Sequence, residues 1–345
     1  MTLLTEFLLG HLRERTPSSI RVVDIGRTFR RPGRTWQLRR AFASLVAALT
    51  ILTARRPGPT TLYLVGNSDS GLPLSALQAL AGRIRGDHIV YHHHTTASIS
   101  DPRMPATTWA LGSDAVHVCS GTDLGALITQ RFPNATTLHL RPGVRTLRDA
   151  DSISAVSATA DDGIVVGHVS NLTEAKGVLE VIRCVASLRD RGIEANGVIV
   201  GPFVDAATEQ RSRTEAERTD APIEFTGPLA GESLDQAIRQ FSVFVFPSTY
   251  QHESWAMVID EALAHGVPVV TTRFPGANRV ADGGAVVDGD QDLGARMADV
   301  VATWIADDPT LNQRRTAAVS AAHRLAADGT AELERFCNVV LAGAQ

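Results

Sequence analysis

Short runs that are almost wholly apolar recur on both sides of one polar break in this chain, and few folds can satisfy that pattern. Arg21–Ile25, Leu62–Val65, Ile89–His92, Ala115–Cys119 and Thr136–Leu140 alternate with helical stretches, and the rhythm resumes at Ile164, Gly197, Val243, Val267 and Ala285. A strand wetted on one face would alternate apolar and polar residues. Runs apolar throughout need cover on both faces, and intervening helices supply it when the strands are parallel. The sequence therefore predicts an α/β protein with parallel sheets. Ala150 to Asp162 is small, polar and aperiodic, as a linker is. We accordingly expect one domain over residues 1–150, a linker over 151–162 and a second domain over 163–345.

At 345 residues the chain is long enough for two ordinary cores. Cys119, Cys184 and Cys337 are far apart and form no Cys-x-x-Cys pair, which argues against a disulfide framework or a zinc ribbon; they read as buried thiols. The longest apolar stretch, Ala41 to Thr53, falls short of the roughly 20 residues that span a bilayer, and no signal peptide precedes it. The expectation is a cytoplasmic enzyme. Its charge is divided unevenly: residues 1–150 hold 18 Arg against 9 Asp plus Glu, a balance of +9, within a net −4 for the whole chain. Arg30, Arg31, Arg34, Arg39 and Arg40 cluster in one segment with Phe29 and Trp36 interleaved. Such a patch attracts phosphates. No nucleic-acid module surrounds it, so the readings left open are an anionic or lipid-linked acceptor, the inner face of a membrane, where each Arg is worth about 1 kcal/mol, and a basic face that is simply solvated.

Pro247 to Ala262 carries the strongest chemical signal. Val243 to Phe246 reads as a buried strand, Ser254 as the N-cap of a helix running to His265, and Gly266 as its stop. Glu253 would sit at the helix mouth and Glu261 about two turns down, roughly 10 Å along the axis, too far apart to share a proton or a metal. Between them the N–H groups of Trp255, Ala256 and Met257 would seat phosphate oxygens at the positive end of the helix dipole. A diphosphate flanked by two hydroxyl-rich sugars fits this layout. Lys176 is the single lysine among 33 basic residues, in the loop Ser170-Asn171-Leu172-Thr173-Glu174-Ala175-Lys176-Gly177 after the apolar run Ile164 to Val166. A compact ammonium at the carboxyl end of a parallel strand suits a crowded diphosphate site.

Pro247 to Ala262, with the continuation Leu263 to Val270, resembles the Glu-x7-Glu motif of the retaining glycosyltransferases of family 4, and residues 167–177 resemble their Lys-Gly loop. The resemblance implies the GT-B fold: two Rossmann-like domains, with the final helix, Ala331 to Leu341, crossing back to the first. A GT-B domain opens with a strand and a glycine-rich loop, whereas this chain opens with an amphipathic helix over Thr2 to Leu12, so the first strand is expected to be absent. The implied roles are Glu253 on the transferred sugar, Glu261 on the ribose and Lys176 on the leaving diphosphate. Ser170, Asn171, Ser254, Trp255, Ala256 and Met257 would complete the donor site, with Gly201 and Thr226 flanking the base. His94, in Tyr91-His92-His93-His94, matches by position the family's His beside the donor sugar and acceptor, and Arg141-Pro142-Gly143-Val144 resembles a family turn without its Asn. Two departures stand out. His168 occupies the place of a clamp Arg, and Ala256 replaces a Gly, where a methyl would crowd the donor sugar.

The function so implied is metal-independent transfer of a sugar from a nucleoside diphosphate to a hydroxyl, with retention, in glycan, polysaccharide or glycolipid synthesis. No cofactor is expected beyond the nucleotide-sugar donor, and no nucleic acid. Asp288-Gly289-Asp290 and Asp149-Ala150-Asp151 match an Asp-x-Asp metal motif but read as polar turns. No Gly-x-Gly-x-x-Gly follows a strand and no Gly-x-Ser-x-Gly elbow occurs, which argues against a nicotinamide dehydrogenase and a serine hydrolase. The rivals are a nucleotide-sugar 2-epimerase and a non-catalytic nucleotide-sugar-binding homologue.

Overall fold

The computed structural model describes residues 3–16, 20–23, 34–55, 58–67, 71–93, 96–145, 163–289, 291–306 and 308–343. It divides into two compact units, one of residues 1–145 with 329–345 and the other of residues 146–328.

The first unit runs α1 (Leu3–Arg15), α2 (Arg34–Thr53), β1 (Thr61–Val65), α3 (Leu72–Ile84), β2 (His88–His92), α4 (Ala97–Ser100), α5 (Met104–Leu111), β3 (Val116–Cys119), α6 (Thr122–Arg131) and β4 (Thr136–His139). Its strands are parallel in the order β1-β2-β3-β4. Successive side chains of a strand point to opposite faces. Ile89 and Tyr91 join Leu72 and Ala79 of α3 and Met104 of α5 on one face. Val90, Val116 and Val118 join Leu4, Leu8 and Leu12 of α1 on the other, together with Leu333, Phe336 and Val340 from the end of the chain. The strand expected over Arg21–Ile25 is not found in its described part: Arg21, Val22 and Val23 are exposed and pair with no strand, and residues 24 and 25 lie outside the described residues.

The second unit runs β5 (Ile164–Val169), α7 (Val178–Asp190), β6 (Ala195–Val200), α8 (Ala206–Arg218), β7 (Ile223–Gly227), α9 (Glu232–Arg239), β8 (Val243–Phe246), α10 (Met257–Ala264), β9 (Val269–Thr272), β10 (Gly284–Val287), α11 (Leu293–Ile305) and the first part of α12 (Asp308–Ala342). Its parallel sheet has the order β10-β9-β8-β5-β6-β7. The chain winds outward from β5 to β7, then returns to lay β8 on the other side of β5, with Val166 opposite Val243 and Gly167 opposite Phe244. This reversal leaves the loops after β5 and β8 diverging from one point, where open α/β sheets bind ligands. Phe244 and Phe246 pack on Ile259 and Leu263 of α10 and on Ala318 and Ala322 of α12, while Val243 and Val245 pack on α7 and α11.

From Gly329 onward α12 belongs to the first unit. There Glu332 receives the Arg141 amide at 2.8 Å and its guanidinium at 2.8 and 3.0 Å, and the Thr61 hydroxyl donates to the Val340 carbonyl at 2.6 Å. The expected turn at Arg141 to Val144 is a 3-10 turn over Pro142–Arg145.

Candidate functional site

The loop after β5 is shaped so that Lys176 faces the loop after β8. Thr173 caps a 3-10 turn over Glu174–Lys176, its hydroxyl accepting the Lys176 amide at 3.1 Å. Gly177 follows at φ +83°, and a Cβ there would stand 2.3 Å from the Pro247 carbonyl oxygen, so only glycine lets the two loops come this close. The Thr249 amide donates to the Ala175 carbonyl at 2.8 Å and ties them together. The Lys176 ammonium lies over the Tyr250 ring, 5.0 Å from its centroid, and is ion-paired to the Glu253 carboxylate. Glu253 is buried and also accepts the Ser248 hydroxyl at 3.2 Å. Lys176 and Glu253, predicted separately, are thus brought into one cluster at the reversal of strand order.

The helix after this loop begins later than the sequence predicts. Ala256, not Ser254, is the N-cap of α10, with φ −76° and ψ 97°. The cause is tertiary. Arg279, in the 3-10 turn Ala277–Val280 and with its side chain nearly enclosed, donates to Asp260 at 2.7 Å, to the Ala256 carbonyl at 2.6 Å and to the Gly276 carbonyl at 2.7 Å, and lies 4.2 Å from the centroid of Trp255. The Trp255 indole donates to the other oxygen of Asp260 at 2.6 Å. This network holds Trp255 and Ala256 out of the helix. The amides without an intrahelical carbonyl therefore belong to Met257 and Val258, since Ile259 already donates to the Ala256 carbonyl. Half-buried Glu261 lies about one turn into α10, roughly 6 Å along its axis, not two turns as predicted. Ser254 is buried in the loop ahead of the cap. Ala256 packs in the apolar cluster under α10. Asp260 and Arg279 were missed in the sequence; the available signal was a second carboxylate beside Glu261, at a core-facing position of a short, mostly apolar helix.

His168, in the place of a clamp Arg, is a core residue. Its Nδ1 donates to the Val245 carbonyl at 2.9 Å, so its Nε2, 2.8 Å from the Ser170 hydroxyl, accepts. Burial, reinforced by the nearby Lys176 ammonium, pushes its pKa down to about 4, and it stays neutral. Ser170 is half-buried and Asn171 exposed. At Gly201, φ +134°, a Cβ would lie 1.8 Å from the Ser170 carbonyl oxygen, and its amide donates to the Gly227 carbonyl at 2.9 Å, closing the ends of β6 and β7 beside Ser170. Thr226, half-buried on the edge strand β7, donates to the Gly227 carbonyl at 2.9 Å. Asp288 is held by Arg273 at 2.6 and 2.9 Å, and Asp290 lies outside the described residues.

In the first unit His94 lies outside the described residues. Its neighbours His92 and His93 are buried: His92 meets the Tyr63 hydroxyl at 2.6 Å, and His93 meets His117 at 3.0 Å, whose pKa burial pushes down to about 4. Of the predicted arginine patch, Arg30 and Arg31 lie outside the described residues, as does the side chain of Arg34; Arg39 is exposed on α2, and Arg40 reaches Asn67 at 2.5 Å.

Residues 163–307 match the family described as Glycosyl transferases group 1. The putative glycosyltransferase EpsF of Bacillus subtilis is 31% identical over 168 residues, 46% of this chain and 42% of that protein. The D-inositol 3-phosphate glycosyltransferase of Corynebacterium efficiens is 35% identical over 154 residues, 42% of this chain and 35% of that protein. The chain thus spans less than half the length of these curated relatives in the matched regions. Anabaena HepE, solved in complex with UDP, superposes with a TM-score of 0.68 over 96% of this chain and 89% of its own at 17% identity. With its two parallel sheets, the chain has the GT-B fold, and its second unit is similar over residues 163–307 to the Glycosyl transferases group 1 family.

Proposed function

We propose that the protein transfers a sugar from a nucleoside-diphosphate sugar to a hydroxyl acceptor, with retention and without a metal. The observation that carries this reading is the ammonium of Lys176 set against Glu253, where strand order reverses and the first amides of α10 are offered. Lys176 stabilises the charge growing on the leaving diphosphate, the Met257 and Val258 amides receive its oxygens, and Ser170 with Asn171 completes the cradle. A fixed cation and fixed dipoles do this without reorganising as the bond breaks. Freed from Lys176 as the diphosphate takes its place, Glu253 orients the sugar. Glu261 holds the ribose, and Gly201 and Thr226 flank the base. His94 serves the sugar and acceptor in this reading, and the acceptor is anionic or lipid-linked. The UDP bound by HepE and the named transferases among the relatives support a nucleotide-sugar donor. Polysaccharide or glycolipid synthesis follows as the expected setting.

Calorimetric titration with a panel of nucleoside diphosphates, followed by a hydrolysis assay with the matching nucleotide sugars, tests this. Binding of one diphosphate with slow donor hydrolysis at retained configuration is expected. A C2-epimerised product would identify an epimerase, and binding without turnover a non-catalytic homologue; either result overturns the proposal.

A further inference from the structure

Helix α2 is built inside out. It buries small residues, Ser44, Ala47 and Ala48, at 0%, 4% and 3% exposure, and shows water its large apolar ones: Leu38 at 71%, Phe42 at 69%, Leu45 at 47%, Val46 at 44% and Leu49 at 51%. At about 100° per residue the exposed five fall within about 100° of arc, opposite the small buried face that packs on α3. Single exposed apolar side chains need no explanation, but a continuous stripe on a three-arginine helix does. The helix contains Arg34, Arg39 and Arg40 and no Asp or Glu, and Arg39 is exposed at the margin of the stripe.

We infer that this face of α2 docks in the plane of an anionic lipid bilayer, with Leu38, Phe42, Leu45 and Leu49 entering the acyl boundary and Arg39 among the headgroups. Charge selects this occupant. Residues 1–150 carry a balance of +9, which an anionic surface answers, whereas a second copy of the face would set arginines against one another with no acid on the helix to meet them. No helix among the described residues is long and apolar enough to cross a membrane, so the contact lies on the surface and does not span it. The inference does not depend on the donor chemistry in the second unit.

The test is sedimentation of the full chain with vesicles of phosphatidylcholine alone and of phosphatidylcholine mixed with phosphatidylglycerol. Binding to the mixed vesicles that weakens with added salt is expected, and Phe42→Glu should weaken it about tenfold or more by removing one buried aromatic and adding a repelled charge. Because Phe42 is exposed, the variant should keep the wild-type unfolding midpoint and donor hydrolysis in solution. Equal recovery with both vesicle types, or equal recovery of wild type and Phe42→Glu, would overturn the inference. So would a concentration-dependent dimer that Phe42→Glu dissolves while neither vesicle binds, since the occupant would then be a second copy. Loss of hydrolysis with vesicle binding intact bears on the donor site alone.

Discussion

The two sheets of this chain share a strand-and-helix alphabet and differ in one topological step, which decides where chemistry gathers. In the first unit the described strands run β1-β2-β3-β4 in sequence order, and the histidines near their carboxyl ends are turned into the core, His92 on Tyr63 and His93 on His117. In the second, β8 returns to the far side of β5, and Lys176, Ser248 and Glu253 meet where the loops part. A reversal opens a crevice that its strands do not fill, and there Lys176 keeps part of its side chain exposed while Ser248 and Glu253 are buried beneath it. The difference predicts that charge changes near the reversal strike activity or its scaffold, and that histidine changes in either core strike stability.

The largest effect should come from the buried pair that fixes the start of α10. Asp260 and Arg279 have side chains only 0% and 5% exposed, so Arg279→Met leaves a buried carboxylate without its cation, at a cost of about 3–5 kcal/mol. Urea unfolding measures it, and Arg279→Met combined with Asp260→Asn should regain most of the loss. Unchanged stability in the single variant would show that the network is ornamental.

Next in size, Lys176→Ala should lower donor turnover by roughly two to three orders of magnitude, equivalent to about 3–4 kcal/mol on the barrier. Glu261→Ala should instead mainly weaken nucleotide binding, seen by calorimetry. Wild-type kinetics in both variants would remove the assignment of the donor site to the second unit.

Acid should act on both units alike, which sharpens the comparison from the other side. His117 and His168 are each held near pKa 4 by burial, below the ordinary 6.5. The folded protein keeps them neutral while the unfolded chain takes up protons, so stability is full above about pH 6.5 and falls as pH drops toward 4. Between pH 7 and pH 5 each should cost about 2 kcal/mol. His117→Phe and His168→Phe should each flatten the fall in the urea midpoint by a similar amount, and a midpoint independent of pH would refute the buried neutral state.

Much of this was legible in the sequence because apolar runs buried on both faces announce themselves. The runs at Leu62, Ile89, Ala115, Thr136, Ile164, Gly197, Val243, Val267 and Ala285 correspond to β1 to β6, β8, β9 and β10. The edge strand β7 carries an exposed Glu224 and a half-wetted pattern, so it gave no such signal. Lys176 and Glu253 could each be singled out by position, but their pairing could not, since 77 residues separate them. The start of α10 was misplaced for an instructive reason. Ser254 has good capping chemistry, and a distant arginine that grips the Ala256 carbonyl overrides it. In α2 the sequence displayed arginines and an apolar stretch, while the face each would take was set by packing against α3.

The smallest expected effect tests whether the loop after β5 is itself part of the apparatus. Thr173 touches no proposed ligand group; its hydroxyl receives the Lys176 amide at 3.1 Å and fixes the turn from which the ammonium extends. Loss of such a cap costs about 1 kcal/mol, so Thr173→Ala should reduce turnover about fivefold if the turn loosens where the ammonium is needed. Thr173→Ser keeps the hydroxyl and should restore the rate. If Thr173→Ala lowered the unfolding midpoint and left turnover untouched, the turn would be structural only, and the ammonium would owe its position to Glu253 and the rings of Tyr250 and Phe246.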